Sequence, residues 1–512
     1  MQKNLLEYIE HTVKEVPDKI AFADEVTALS FRQFYEGMRS IGSELARMGF
    51  KKEPVLIFMD KSPYAIQALF GAVCAGCFYV PLDGEMPLMR MELILQNTGA
   101  RVMICDAHNL EKANALDFSG EIFLASDLRE KEEDAALLDE IRAASIDTDP
   151  VYVLFTSGST GVPKGVVGHH RGVIDYLDQL SEVMGFSRET IFGNQTPLYF
   201  DASMKDIYST LKLGATTWLI PKQLFSFPLR LVEYLNAHEI NTICWVVSAL
   251  TMISSFGTFD ELIPETVHTI GFGSEVFPVG QFQVWRRALP GARFVNLYGP
   301  TETTGVCCYY KVEREPAEGE VIPIGHPFSN TRILLLKEEG SEAEAGGQGE
   351  ICICGTCLTH GYYNNPERTR EVFVQNPLNR SYPQMIYKTG DMGYLNDKGE
   401  LVFLSRKDYQ IKHMGHRIEL GEIDANAYAI AGVRQACCIY CRDDGRLVLF
   451  YAGTVNQAEL MRALKTKLPR YMLPNRVIPM ERLPLTATGK LDRKEMEALY
   501  GEKGLRERRE RS

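Results

Sequence analysis

Hydrophobic positions follow two periods along the first three hundred residues. Apolar residues recur at helical spacing over 31–48 and 63–75, and each stretch leads to a short apolar run, VLIFM at 55–59 and FYVPL at 78–82. Later runs such as VYVLF, TTWLI and TICWVV repeat the pattern. Helices that alternate with strands in this way build βαβ units around a parallel sheet. We therefore predict an α/β fold for this part of the chain.

The pattern changes twice towards the C-terminus. After residue 298, short strands such as TRILLL and EICICG are separated by glycine-rich turns, which predicts antiparallel hairpins. From about residue 405 a compact α+β pattern follows, and the charged end GLRERRERS predicts a frayed tail. We predict a large N-terminal domain over 1–407, with α/β sheets plus a β-rich subdomain, and a small mobile C-terminal α+β domain over 408–512.

Composition narrows the class of protein. The 512 residues are 45% hydrophobic and 24% charged, and the net charge is -12, which disfavours a dedicated binder of nucleic acid. The longest apolar stretch, 68–82, is interrupted by two glycines and a proline and is too short to span a bilayer. The N-terminus lacks the continuous apolar core of a signal peptide. We expect a cytoplasmic protein without nucleic-acid or membrane partners.

The twelve cysteines are expected to be free thiols. Two clusters contain a C-x-x-C pair that could hold zinc, which leaves a metal site as the alternative. Both clusters lie in predicted strands, where successive side chains point to opposite faces, and this disfavours convergence on one ion. The six cysteines are Cys352, Cys354, Cys357, Cys437, Cys438 and Cys441.

A loop of glycines, hydroxyls and one lysine follows the apolar strand VYVLF. Backbone N–H groups, hydroxyls and an ammonium in one loop suit a polyphosphate, because glycine permits close approach. The loop is not a Walker A motif, since Lys164 follows a proline and precedes a glycine. The predicted phosphate-binding residues are Thr156, Ser157, Gly158, Ser159, Thr160, Gly161 and Lys164.

The segment TSGSTGVPKG resembles the phosphate-binding signature of the adenylate-forming superfamily, which comprises acyl-CoA synthetases, luciferases and nonribosomal peptide synthetase adenylation domains. Further motifs resemble that family in the same order: GAVCAGCFYVPLD, FDAS, NLYGPTET, GEICICG, YKTGD, SRKDYQIKHMGHRIELGEID, LPRYMLP and TGKLDR. Together they cover nearly the whole chain and are similar to the amino-acid-activating branch. The combination of FDAS, DIY and FGSEVFP is also similar to free-standing amino acid:carrier protein ligases that use D-alanine.

The resemblance implies an ATP and Mg²⁺ site. Glu302 is expected to hold Mg²⁺, Thr301 to lie near the reacting phosphate, and Tyr298 to stack on adenine. Asn296 is expected to bind the adenine edge. In YKTGD, Asp391 is expected to accept both ribose hydroxyls, with Arg406 nearby.

The resemblance also implies that the C-terminal domain moves. Lys490 in the TGK turn is expected to contact the substrate carboxylate and the α-phosphate, which lowers repulsion between the two anions. Asp408 is expected to be the hinge. The family usually has glycine before the arginine of this segment, whereas this chain has Ser405, which leaves the hinge geometry open.

FDAS implies an amino acid as substrate, because Asp201 in that branch pairs with the α-ammonium. A helix-capping role is the alternative for Asp201. The side-chain pocket implied by the same spacing consists of Ala202, Lys205, Cys244, Ile270, Phe272, Leu297, Gly305 and Val306. Most of these residues are apolar, but Lys205 is charged. If its ammonium faces the pocket, an acidic substrate side chain would be favoured. Alternatively, the ammonium reaches solvent and only the aliphatic part of the side chain lies on the pocket wall. Leu297 and Lys205 also differ from the small pocket expected for alanine.

The resemblance therefore implies a ligase that forms an aminoacyl adenylate with MgATP and transfers the amino acid to the phosphopantetheine thiol of a carrier protein. No carrier-like segment follows the last domain, so the carrier is expected to be a separate chain, unless this chain is cut from a larger synthetase. An acyl- or aryl-CoA synthetase is one alternative, which Asp201 disfavours. A catalytically inactive binding protein is the other.

Overall fold

The computed structural model of the protein describes residues 2–158, 162–317, 319–407, 409–441, 444–485 and 491–509, with side chains up to residue 501. The chain divides into two compact units. Unit 1 consists of Met1–Gly84, Asn97–Phe155 and Gly165–Lys407, and unit 2 of Glu85–Gln96, Thr156–Lys164 and Asp408–Ser512. A division between the units thus lies between residues 407 and 408, and two short earlier segments group with the C-terminal part.

The helices and strands carry the following bounds. The helices are α1 (Leu6–Glu15), α2 (Phe31–Arg47), α3 (Pro63–Cys74), α4 (Leu88–Thr98), α5 (Leu110–Asn114), α6 (Ala125–Arg129), α7 (Ala135–Ala144), α8 (His170–Met184), α9 (Met204–Leu213), α10 (Pro228–Ala237), α11 (Val247–Ser255), α12 (Val279–Ala288), α13 (Pro366–Val372), α14 (Leu420–Tyr428), α15 (Gln457–Lys465) and α16 (Arg493–Arg509). The strands are β1 (Ile20–Ala23), β2 (Ala28–Ser30), β3 (Pro54–Phe58), β4 (Phe78–Leu82), β5 (Val102–Cys105), β6 (Glu121–Leu124), β7 (Pro150–Thr156), β8 (Lys164–His169), β9 (Ile191–Asn194), β10 (Thr216–Leu219), β11 (Thr242–Val246), β12 (Thr269–Gly273), β13 (Arg293–Tyr298), β14 (Cys308–Lys311), β15 (His326–Pro327), β16 (Thr331–Leu336), β17 (Gly349–Gly355), β18 (Phe373–Gln375), β19 (Met385–Leu395), β20 (Leu401–Arg406), β21 (Gln410–His413), β22 (His416–Glu419), β23 (Val433–Cys441), β24 (Arg446–Gly453) and β25 (Arg476–Pro479). Short 3-10 turns cover Asp201–Ser203, Lys222–Ser226, Thr258–Asp260, Thr301–Thr303 and Arg470–Met472.

Two large sheets confirm the α/β prediction. One has the order β6-β5-β3-β4-β7-β8, and its recorded strand pairs are parallel. The other has the order β15-β14-β13-β12-β11-β9-β10-β1-β2, and its central strands are parallel while β2, β14 and β15 are antiparallel to their neighbours. The expected β-rich subdomain is the antiparallel sheet of β16 to β20.

Helix α2 illustrates how local sequence fixes these elements. The Ser30 side chain accepts from the Gln33 backbone and the Gln33 side chain accepts from the Ser30 backbone, which is a capping box. The apolar positions Phe31, Phe34 and Met38 are buried on one face. Full burial of such a side chain contributes about 1.5–3 kcal/mol, so this face holds the helix on the core.

Unit 2 is built on the sheet β23-β24-β25 with β23 and β24 antiparallel. Cys437 and Cys438 are both fully buried in different hydrophobic clusters, as alternation along β23 requires. Towards the C-terminus, α16 continues to Arg509, so the backbone of 504–509 is helical where a frayed tail was expected.

Five of the six clustered cysteines lie in β17 or β23, and Cys357 follows the end of β17. Over the described residues, no group of three or more His, Cys, Asp or Glu side chains is arranged to hold a metal ion. Nor does any helix in the described part of the chain have the length and apolar character needed to cross a membrane.

Candidate active site

A buried carboxylate of unit 1 has one charged and one polar partner. Asp391 and Arg406 are cross-strand partners on β19 and β20, so their side chains meet, with Arg406 Nη1 donating to Asp391 Oδ1 at 2.5 Å. Tyr298, at the end of β13, donates its hydroxyl to Asp391 Oδ2 at 2.5 Å. Burial, together with the Asp391 charge, raises the pKa of Tyr298 well above its ordinary value. The structure therefore brings together three residues predicted from three separate motifs.

Asp391 still has acceptor capacity. A carboxylate offers about four lone-pair sites, and the two bonds to Tyr298 and Arg406 use two of them. Only 3% of Asp391 is exposed. The carboxylate thus keeps acceptor capacity although almost none of its surface is exposed.

Glu302 lies in the turn Thr301–Thr303 that follows β13 and is fully buried. The hydroxyl of Tyr362 donates to Glu302 Oε1 at 2.7 Å, and the Thr359 amide donates to the Glu302 carbonyl at 3.1 Å. Thr301 is partly buried beside it. Tyr362 was not predicted, and no motif around it could have revealed this contact, because its partner is sixty residues away.

Asn296 lies on the same face of β13 as Tyr298, and its amide is engaged by the backbone. Its Nδ2 donates to the Pro323 carbonyl at 2.8 Å. Only 8% of the residue is exposed. This contact fixes the side chain from which an adenine contact was expected.

Asp201 and Gly305 are neighbours. A Cβ built on Gly305 would lie 3.6 Å from Asp201 Oδ2, and Gly305 has φ of +85°, a conformation that favours glycine. Val306 is buried in the same hydrophobic cluster as Cys244 and Leu297, while Ala202 and Lys205 are partly buried. Of the predicted amino-acid-binding residues, the structure thus places Gly305 directly beside Asp201.

Ile270 and Phe272 lie on the opposite face of β12 from Cys244 and Leu297, so the predicted pocket residues do not share one face of the sheet. In the parallel register Cys244 pairs with Gly271, whereas Ile270 and Phe272 pair with residues of the opposite face. Both lie in a separate cluster around Trp245. Alternation along β12 therefore places Gly271 and Gly273 on the face of Cys244 and Leu297.

Four residues of the predicted phosphate loop are described, and all belong to unit 2. Gly158 N–H donates to Glu422 Oε2 at 3.1 Å, Ser157 Oγ donates to the Arg417 carbonyl at 2.7 Å, and Lys164 Nζ lies 3.4 Å from Glu419 Oε1. Thr156 Oγ1 lies 3.5 Å from the Lys164 carbonyl.

The loop's polar donors thus contact acceptors of the segment 417–422. A Cβ on Gly158 would lie 1.9 Å from the Val162 carbonyl, so only glycine fits there. Five predicted residues lie outside the described part of the chain: Ser159, Thr160, Gly161, Asp408 and Lys490.

Two family models match the chain. Residues 9–363 match the AMP-binding enzyme family, and residues 422–490 match the AMP-binding enzyme C-terminal domain. The chain is 31% identical to an L-proline–[L-prolyl-carrier protein] ligase of Pseudomonas fluorescens, over 96% of this chain and 98% of that protein. It is 30% identical to tyrocidine synthase 1 of Brevibacillus parabrevis over 96% of this chain.

The chain spans 44% of tyrocidine synthase 1, less than half the length of that relative. Among solved structures, IdnL1 is 26% identical with a TM-score of 0.81, covering 94% of this chain and 98% of that one. The adenylation domain AlmE from Vibrio cholerae, at 20% identity and a TM-score of 0.85, shares the fold and covers 98% of each chain. The family match extends over more than half of the residues, and the chain therefore belongs to the AMP-binding enzyme family.

Proposed function

We propose that this protein joins an amino acid to AMP and then to a carrier-protein thiol. A carboxylate oxygen of the amino acid attacks the α-phosphorus of ATP, the bond to the β-phosphate breaks, and pyrophosphate leaves. The thiolate of phosphopantetheine then attacks the acyl carbon, a thioester forms and AMP leaves. The observation that carries the proposal is the Asp391 carboxylate held by Tyr298 and Arg406 in a chain of this family.

Asp391 is proposed to bind the ribose. Its two oxygens retain lone pairs for a vicinal diol, and the hydrogen bond from Arg406 orients the carboxylate. The ring of Tyr298 is proposed to stack on adenine, with the hydroxyl anchored to Asp391. Thr301 is proposed to lie near the reacting phosphate, and the donors of 156–164 to bind the other phosphates.

The Glu302 carboxylate fits Mg²⁺. Mg²⁺ is usually bound through one or two carboxylates together with phosphate oxygens, and Glu302 Oε1 is oriented by Tyr362. When bound there, the ion would neutralise charge that develops on the phosphates. Tyr362 is proposed to hold the carboxylate in the orientation that this role needs.

The C-terminal part is proposed to deliver Lys490 for the first half-reaction and to turn about Asp408 for the second. An ammonium between two approaching anions lowers their repulsion, and this is why a lysine suits the position. Both residues lie outside the described part of the chain, so this proposal rests on the family and its motifs. The proposed domains are 1–407 and 408–512.

Asp201 is proposed to bind the α-ammonium of the amino acid. Fatty and aryl acids have no ammonium group that this carboxylate could bind. The proposed acceptor is an acyl or peptidyl carrier protein, by analogy with the relative that acts on an L-prolyl-carrier protein. Because ATP and the carrier are intracellular substrates, we propose that the reaction takes place in the cytoplasm.

Amino-acid-dependent exchange of pyrophosphate into ATP tests the proposal. We expect exchange with at least one amino acid from a panel that includes both enantiomers, and we expect Lys490→Ala to abolish it while ATP still binds. Lys494→Ala, an exposed lysine four residues away, is the matched control and should exchange normally. Near-normal exchange by Lys490→Ala would reject that assignment, and exchange with no amino acid would reject the function. Thioester formation on free CoA but not on a carrier would indicate a CoA synthetase.

A further inference from the structure

Strand β19 carries a bulge directly before Asp391. In the pairing of β19 with β17, Glu350 lies opposite Met392, whereas Cys352 lies opposite Lys388. Between these two pairs β17 advances two residues while β19 advances four, so β19 holds two additional residues at this point. A bulge of this kind changes the direction in which a neighbouring side chain points.

The backbone groups of the bulge have hydrogen-bond partners outside the β17–β19 ladder. The Gly390 N–H donates to Glu350 Oε1 at 3.0 Å, and the Gly390 carbonyl accepts from the Lys407 N–H at 2.8 Å. The Asp391 N–H donates to the Thr389 hydroxyl at 2.9 Å. Gly390 has φ of +75°, a conformation that favours glycine. Because backbone groups that leave a ladder cost free energy when they are buried and unpaired, these contacts fix the conformation of the bulge.

Glu350 divides its carboxylate between the bulge and a counter-charge. Only 5% of Glu350 is exposed. Oε1 accepts from Gly390, Oε2 accepts from the Lys407 ammonium at 3.1 Å, and the Lys388 ammonium lies 3.9 Å from Oε2. A buried carboxylate is costly unless it is paired, and a hydrogen bond to an ionised group is about twice as strong as a neutral one. The ion pair with Lys407 therefore offsets the cost of burying the acceptor that holds the bulge.

The bulge leads directly into the proposed ribose carboxylate. Asp391 lies opposite Arg406 on β20, and Arg406 Nη2 donates to the Thr389 carbonyl at 3.1 Å. The guanidinium therefore contacts both the bulge and the Asp391 carboxylate. Glu350 binds the backbone one residue before Asp391, so it acts on that carboxylate through the backbone.

We propose that Glu350 is a positioning residue for the ribose carboxylate; the inference rests on the proposed function. Glu350 holds the bulge in the conformation that brings the Asp391 carboxylate to Tyr298 and Arg406. Hydrogen bonds weaken steeply when their distance or angle changes, so relaxation of the bulge costs the contacts of Asp391 with the ribose hydroxyls. Glu350 thereby controls how well the nucleotide is recognised without touching it.

Pyrophosphate exchange with ATP and with 2′-deoxy-ATP tests the proposal. The deoxynucleotide lacks one of the two hydroxyls that Asp391 is proposed to bind. A hydrogen bond to a charged group corresponds to a factor of about 10 to 150, so we expect the unaltered protein to prefer ATP by that factor in kcat/KM. In Glu350→Ala this preference should fall at least about fivefold, mainly through a higher KM for ATP. A loss of stability alone would affect exchange with both nucleotides equally.

Two further variants separate the hydrogen bond from the charge. In Glu350→Gln the amide oxygen can still accept from Gly390, and the lost ion pair involves a partly exposed lysine, so the preference for ATP should stay within about twofold of the parent value. Glu350→Asp keeps the charge but is one methylene group shorter, so the preference should fall as in Glu350→Ala. The aspartate variant serves if the alanine variant folds poorly, and calorimetric binding of the two nucleotides gives the ratio for a variant that does not exchange.

Glu400→Ala is the matched control. Glu400 accepts from Asn396 Nδ2 at 2.8 Å in the turn between β19 and β20, so the preference for ATP should not change. The proposal is overturned if the preference is the same in Glu350→Ala and Glu350→Asp as in the parent, or if Glu400→Ala lowers it equally. A parent protein that does not distinguish the two nucleotides would overturn it together with the ribose role of Asp391, while amino-acid activation would stand. Exchange with no amino acid would reject the proposed function as well.

Discussion

The hydroxyl of Tyr298 can be removed without removing its ring. Tyr298→Phe eliminates the 2.5 Å hydrogen bond to Asp391 and leaves that buried carboxylate with Arg406 alone. A hydrogen bond to a charged group contributes about 1.5–3 kcal/mol, and a buried acceptor left unpaired costs the same order. We therefore expect the free energy of unfolding of unit 1 to fall by about 1.5–3 kcal/mol.

Urea unfolding followed by tryptophan fluorescence measures this change in unit 1. All three tryptophans, Trp218, Trp245 and Trp285, lie in that unit, so the signal reports on it. Saturating ATP should reduce the difference in unfolding free energy between Tyr298→Phe and the parent protein. The reason is that ribose hydroxyls would donate hydrogen bonds to the Asp391 carboxylate.

Tyr309→Phe is the control for this experiment. Tyr309 lies on the adjacent strand β14, and its hydroxyl makes no hydrogen bond within the described residues. Surface or unbonded changes of this kind usually stay within about 0.5 kcal/mol. A loss below about 0.5 kcal/mol for Tyr298→Phe, or equal losses in the two variants, would refute the reasoning.

Two further changes test the metal site and the response to acid. Glu302→Gln keeps the shape of a fully buried side chain and removes its charge. The Mg²⁺ concentration that half-saturates pyrophosphate exchange should therefore rise at least tenfold. An unchanged Mg²⁺ dependence would contradict the assignment of Mg²⁺ to Glu302. Burial lowers the pKa of His170 to about 3, and the Leu5 amide donates to its Nδ1, so the ring is neutral in the folded protein. Below the ordinary pKa of about 6.5 the unfolded chain gains a proton that the folded chain does not, so stability falls from about pH 6.5 towards pH 3. His170→Asn should show a shallower fall in urea midpoint over that range, and parallel pH profiles would contradict this.

Much of the fold could be predicted from the sequence. The run FYVPL predicts the strand that the structure has, Phe78–Leu82, because a short apolar run between turn signals has few other solutions. Helix α2 follows from its apolar period and its Ser30 cap. Such signals are local, since each residue's preference depends on neighbours within a few positions.

The face of the sheet that each predicted pocket residue occupies could not be predicted, because it depends on strand register. Ile270 and Phe272 have suitable apolar side chains, yet the pairing of Cys244 with Gly271 turns them to the other face. A shift of one residue reverses every side chain of a strand, and sequence spacing alone does not fix register between distant strands. The contact of Tyr362 with Glu302 was missed for the same reason, since it joins loops that only the tertiary fold brings together.

By itself the sequence determined the class of fold, the family to which the chain belongs and the residue types available for chemistry, because periodicity and ordered motifs are properties of the linear chain. The tertiary structure decided which of those residues meet. Asp391 lies between Tyr298 and Arg406 because β19 and β20 pair in one register and β13 ends beside them. Charge, burial and hydrogen bonding act through distances in space, and those distances exist only once the chain has folded.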